Sequence, residues 1–143
     1  MACVDFSDAT DKDAANGEFR IPLGNCADYQ DVAETFTSIY TNLLSQPAGA
    51  TSKGCAGVNS CHSPATNLGG WNLGSNQSQA YFNLTTLSGL SGNRLITPNS
   101  IADSNVIVRL SLINNAEPRN GSLWFNSDLI AIKRWVCQGA QNN

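Results

Sequence analysis

The sequence predicts a mostly helical fold in a single domain. Three observations carry that prediction. Apolar residues recur at helical spacing in four separate segments, no run alternates apolar and polar residues as a half-buried strand does, and no segment repeats another. A chain of 143 residues suits one domain rather than two, and 41% hydrophobic residues are enough to build a core.

Residues 1–27 are polar and acidic, with Asp5, Asp8, Asp11, Asp13 and Gly17, and read as a tether or irregular arm in front of a domain spanning 28–143. The first helix is expected over about 31–44, where Val32, Phe36, Ile39, Tyr40, Leu43 and Leu44 form one apolar stripe. Residues 45–75 read mostly as loop, because Pro47, Gly49, Gly54, Gly57, Pro64, Gly69, Gly70 and Gly74 interrupt any regular pattern. A second helix fits 78–87, with Ala80, Tyr81, Leu84 and Leu87 turned inward. A third, shorter one fits 104–113, where Ser104 is placed to cap and Val106, Ile107 and Leu110 to pack. The last helix has the clearest signals. Asn126 or Ser127 is placed to cap it, Asp128 favours its positive end, Leu129, Ile132, Trp135 and Val136 give its buried stripe, and Gly139 stops it.

Charge narrows the function. Charged residues make up only 13% of the chain and the net charge is -3, which excludes the basic face that a nucleic-acid partner demands. No apolar run reaches the length of a membrane-spanning helix. Polarity comes instead from amides and hydroxyls, with 17 Asn among them. Five cysteines in so short a chain point to an oxidising compartment. Met1-Ala2 ahead of Cys3 and an Asp-rich stretch reads as a cloning remnant on a mature chain, whose precursor is expected to carry an export signal. The expected location is therefore periplasmic or cell-surface.

The segment from Gly54 to Pro64 holds the only histidine, in the order Cys55, five residues, Cys61, His62. Covalent haem attachment needs two thiols to add to two vinyl groups and an imidazole to bind iron. A histidine directly after the second cysteine meets that demand, as in C-x-x-C-H. Here five residues separate the cysteines instead of two, and Gly57 and Asn59 among them tolerate a tight bulge. Three other readings stay open. Cys55 and Cys61 close a small disulfide loop, with His62 exposed; they bind zinc with His62, although no fourth ligand at finger-like spacing is apparent; or they are redox thiols, although C-x5-C is not the thioredoxin spacing.

Over roughly residues 30–143 the chain resembles small monohaem c-type cytochrome domains. The resemblance rests on ordered segments: Phe36-Thr37-Ser38-Ile39-Tyr40 leading towards Cys55; Gly69-Gly70-Trp71-Asn72-Leu73; Ala80-Tyr81-Phe82-Asn83-Leu84; Ser104 to Leu110 with Arg109; and an ending with Trp135, Gly139 and Ala140. It implies a cytochrome c-like bundle of about four short helices around a haem c, with Cys55 and Cys61 attached to the porphyrin and His62 as proximal iron ligand. It also implies Pro64 offering its carbonyl to the imidazole, with Trp71 and Tyr81 lining the haem or serving simply as core. Arg109 is a candidate for a propionate contact.

The chain departs from the family where a Met-Pro loop usually supplies the distal ligand. Glu117-Pro118 stands there, and the only methionine is Met1. Loss of thioether ligation lowers the haem potential or leaves the iron five-coordinate. Glu117 is then either a weak ferric ligand or an exposed loop carboxylate, with Lys53, Lys133 or a group from a neighbouring chain as further candidates. The expected function is electron transfer between redox partner proteins. A haem-free binding or assembly module with a Cys55–Cys61 disulfide is one alternative, and a peroxidase-like or gas-binding haem protein with an open iron site is another. The resemblance also bears on the remaining cysteines. First and last helices pack together in cytochrome c folds, which brings Cys26 within reach of Cys137 and leaves Cys3 at the head of the tether, where a bacterial lipoprotein carries its lipid. A Cys3–Cys26 bond with Cys137 left over is the rival.

Overall fold

The first helix owes its start to three acceptors gathered at one end. The computed structural model describes residue 19 and residues 21–46, 48–49, 52–55, 62–66, 71–89, 92–112 and 125–143. Helix α1, Phe36–Ile39, begins where the Thr35 hydroxyl accepts the Ser38 amide at 3.1 Å. The Asn143 side-chain carbonyl accepts the Phe36 amide at 3.0 Å, and the Asn143 backbone carbonyl accepts the Thr37 amide at 2.9 Å. The free N–H groups that every helix start leaves are thus met partly from the far end of the chain. α1 runs directly into a π-helical turn, Tyr40–Leu44, closed by the Ser45 amide on the Tyr40 carbonyl at 2.8 Å.

This start lies five residues later than the pattern predicts. Residues 31–35 are not helical because their polar groups serve the last helix instead. The Gln138 amide donates to the Val32 carbonyl at 2.6 Å and accepts the Glu34 amide at 3.0 Å, and Arg134 forks onto Asp31 at 2.8 and 3.1 Å. Val32, expected in the buried stripe, is 49% exposed as a result.

A short hairpin follows, β1 (Ala48–Gly49) against β2 (Ser52–Lys53), antiparallel with Ala48 opposite Lys53. It is a small exception to the strand-free expectation. Helix α2, Gln77–Thr86, is capped by the Asn76 side chain on the Gln79 amide at 3.0 Å. Helix α3, Asn105–Ser111, has Ser104 at the capping position but not in the capping role. The Ser104 hydroxyl accepts the Thr97 amide at 2.9 Å and donates to the Ser100 carbonyl at 2.6 Å, tying the preceding turn together. Helix α4, Asn126–Cys137, starts after Phe125, so neither Asn126 nor Ser127 caps it. Asp128 does sit in its first turn, and its carboxylate accepts the Phe125 amide at 2.7 Å. Gly139 ends the helix at φ +93, a conformation that costs a side-chain-bearing residue energy.

The described chain is thus mostly helical, with α1 to α4 closing on one core. Phe36, Ile39 and Leu44 meet Ala80 and Leu84 of α2, Ile107 and Leu110 of α3, and Leu129, Ile132, Trp135 and Val136 of α4, with Leu73, Leu95 and Ile96 filling in from the connections. Phe36 is its hub, with ring centroids 5.0 Å from Trp135 and 5.4 Å from Tyr81. Each large apolar side chain buried this way contributes about 1.5–3 kcal/mol relative to exposure.

A clasp fastens residues 21–35 to α4. Cys26 and Cys137 form a disulfide across 111 positions, so the Cys3–Cys26 rival falls. Cys26 opens a 3-10 turn, Cys26–Tyr29, whose start is capped by the Asn25 side chain on the Ala27 amide at 2.9 Å. Beside the disulfide, Lys133 of α4 is wholly buried and donates to the Pro22 carbonyl at 2.8 Å and the Tyr29 hydroxyl at 3.4 Å. Burial pushes the Lys133 ammonium below the ordinary lysine value and the Tyr29 phenol above the ordinary tyrosine value. Ile21 and Leu23 pack on the core, and Phe19 bridges to Leu112, so part of the segment read as an arm is held to the domain. No helix among the described residues is long and apolar enough to cross a membrane.

Candidate functional site

Cys55 is placed by the end of the π-helical turn. Its amide donates to the Leu44 carbonyl at 3.0 Å, which brings the chain back across that turn. Gly54 makes the crossing possible, since a Cβ there would collide with the Gln46 carbonyl carbon and oxygen. Cys55 is half-buried and packs against the core.

His62 joins this strand of chain to a third. Its amide donates to the Cys55 carbonyl at 3.1 Å, and its carbonyl accepts the Leu73 amide at 2.8 Å. Three passes, around 55, 62 and 73, are therefore laced together by backbone bonds. The simple disulfide reading expects His62 exposed, but its side chain is buried at 5% accessibility. Its imidazole lies face to face on the Trp71 indole, with centroids 3.7 Å apart and planes 13° from parallel.

The residues that follow Trp71 are firmly anchored. Leu73, two residues on, is buried and bonded to His62. Asn72 gives its backbone carbonyl to the Asn83 amide of α2 at 2.8 Å, and its side chain accepts the Gly74 amide at 2.8 Å. The stack is thus carried on the same helix that packs Leu84 into the core.

The other predicted residues fall elsewhere. Pro64 is exposed in a turn closed by the Thr66 amide on the Ser63 carbonyl at 3.1 Å. Tyr81 stands in the aromatic group with Phe36 and Trp135, consistent with its reading as core. Lys133, a distal-ligand candidate, has its ammonium committed to Pro22 and Tyr29 in the clasp. Cys61 and Glu117 lie outside the described residues, as do Cys3 and the side chain of Lys53. Among the described residues no group of three or more His, Cys, Asp or Glu side chains is arranged to hold a metal ion.

Sequence reasoning did not find the pairing of His62 with Trp71, nor the Leu73 bond beneath it. The one available signal was a tryptophan following Gly69-Gly70 close after a lone histidine, and many core tryptophans look the same. No family model matches the chain, and neither a curated protein nor a solved structure matches it.

Proposed function

We propose that the protein is an exported c-type cytochrome, a cytochrome c-like bundle that carries one haem through Cys55 and Cys61, ligates its iron with His62 and passes electrons between redox partners. The bond from the His62 amide to the Cys55 carbonyl carries this reading. In C-x-x-C-H the first cysteine and the histidine stand four apart, the spacing over which one helical N–H···O=C bond closes a turn. Here they stand seven apart, yet the same two backbone groups are bonded, so the longer spacing does not separate them.

The surroundings fit a porphyrin edge. Cys55 faces apolar core, His62 is shielded from solvent, and its ring orientation is fixed by Trp71. The residues that would complete the site, 56–61, 67–70 and 113–124, lie outside the described chain. Cys55 and Cys61 would hold the haem by adding across its two vinyl groups, each forming a carbon–sulfur bond and passing its thiol proton to the vinyl carbon with no net change of oxidation state. Cys55 and Cys61 must therefore be reduced when they react. The haem supplies a one-electron couple, and the chain supplies the imidazole, its fixed plane and a dry proximal face. With Glu117 where relatives of that type carry methionine, the couple would lie lower or the iron would lack a sixth protein ligand.

Export accords with the Cys26–Cys137 disulfide, which an oxidising compartment forms and keeps. Cys3, in the remaining polar stretch, is the proposed lipid anchor. A second reading draws on the same disulfide: a chain that oxidises one cysteine pair can oxidise another, and a Cys55–Cys61 bond would make this a haem-free binding module. Expression with export and haem-attachment machinery separates the two. A Soret band that survives acid–acetone extraction, lost in Cys55→Ser/Cys61→Ser, is the expected result. A colourless protein yielding a Cys55–Cys61 disulfide peptide overturns it.

A further inference from the structure

We infer that Trp71 is a positioning residue that sets the plane of the His62 imidazole at the iron. The inference rests on the reading of His62 as an axial ligand, and adds a role that the spacing of cysteines and histidine does not contain.

An imidazole joined to the backbone through one methylene turns about two torsions. The backbone bonds of His62 to Cys55 and Leu73 fix where the side chain starts, but not how the ring is turned. The indole fixes that. A ring stacked at 3.7 Å and 13° meets a wall on one whole face and keeps only in-plane slippage or a complete flip. The wall is itself braced by the residues that follow it, where Asn83 of α2 holds the Asn72 carbonyl and Leu73 is buried. Outer partners of a metal-binding histidine orient it as a rule through a hydrogen bond to the second ring nitrogen. Here an aromatic face meets the ring. The plane matters electronically, since it decides which iron d orbital the imidazole π system meets. It matters entropically as well: a ring already aligned loses no rotamer freedom when it binds.

The test uses the chain's single histidine, whose ring protons need no assignment among others. Wild type, Trp71→Phe and Trp71→Leu are prepared haem-free and haem-loaded. In the haem-free proteins, proton NMR is expected to show the His62 ring signals upfield of a free imidazole in wild type, partly retained in Trp71→Phe and restored to ordinary positions in Trp71→Leu. In the haem-loaded proteins, ferric cyanide adducts make the sixth position identical throughout. There the spread of the haem methyl shifts is expected to match between wild type and Trp71→Phe and to change in Trp71→Leu. Thermal unfolding of all three separates that change from lost stability, which would not move the methyl spread in the folded protein. Unchanged methyl shifts in a haem-loaded Trp71→Leu overturn the positioning role while leaving haem attachment intact. Absence of covalent haem from all three proteins overturns the proposed function, and the positioning role with it.

Discussion

The clasp and the candidate site are built by opposite means. At the clasp, residues 21–35 meet α4 through a disulfide, a buried lysine, two glutamines and an arginine, each pairing across more than a hundred positions. At the site, Cys55, His62 and Leu73 are drawn together by two backbone bonds and one aromatic stack, all within twenty positions. The clasp spends side-chain chemistry to hold distant segments of chain. The site relies instead on the backbone and on the face of one indole. Distant segments need side-chain bonds to meet, whereas neighbouring ones can be laced by the backbone itself.

Breaking the clasp is expected to have the largest effect. Cys26→Ser/Cys137→Ser releases a closed loop of about a hundred residues, which costs about 4 kcal/mol. Urea unfolding should show the midpoint falling by that equivalent, whereas Cys55→Ser should move it far less. A stability loss at Cys55 equal to the loss at the clasp would erase the contrast.

Asn83→Ala tests the site's support from α2. It frees the Asn72 carbonyl and should cost about 1–2 kcal/mol in chemical unfolding. It should also loosen the His62–Trp71 stack, read as weaker upfield shifts of the His62 ring protons. Full stability with an unchanged stack would show that Leu73 alone carries Trp71.

The smallest effect at neutral pH is expected from Lys133→Met, where removing a buried charge offsets the loss of its bonds to Pro22 and Tyr29, so that stability should change by less than about 1 kcal/mol in either direction. Its signature lies in the pH dependence. The Lys133 ammonium is held below its unfolded value, so across the window up to about pH 10.4 the unfolded chain binds more protons and wild-type stability rises with pH. Tyr29 acts in the other direction. Its phenol is held above its unfolded value, so its contribution is intact below about pH 10 and is lost above it. Urea midpoints between neutral pH and about pH 10 should climb for wild type and stay flat for Lys133→Met. A climb preserved in the variant would place the titrating group elsewhere.

Much of the scaffold was legible in the sequence. In α4 the stripe Leu129, Ile132, Trp135 and Val136 is buried as its spacing predicts, and Gly139 stops the helix at the φ it was chosen for. The Cys26–Cys137 pairing, expected only from the resemblance, is present as a disulfide. The start of α1 was misjudged because apolar spacing cannot register that Asp31, Val32 and Glu34 are claimed by Arg134 and Gln138. Ser104 shows a similar limit: position alone marks a cap, but its hydroxyl found Thr97 and Ser100 instead. At the site, cysteine and histidine types were readable from their adjacency. The stack was not, because face-to-face packing of His62 on Trp71 depends on loop conformation, and glycine-rich sequence leaves that open. For the same reason Lys133 read as a possible ligand, when burial and two oxygen acceptors had already employed it.

The Asn143 contacts have a consequence in time. α1 lies in the first third of the chain, yet its leading amides wait for acceptors that leave the ribosome more than a hundred residues later. A peptide of α1 and its turn is too short to hold a helix alone in water. The segment therefore emerges, and is handed onward, as open chain, and the first element in sequence is among the last to become permanent. Pairings of such long range make for slow folding.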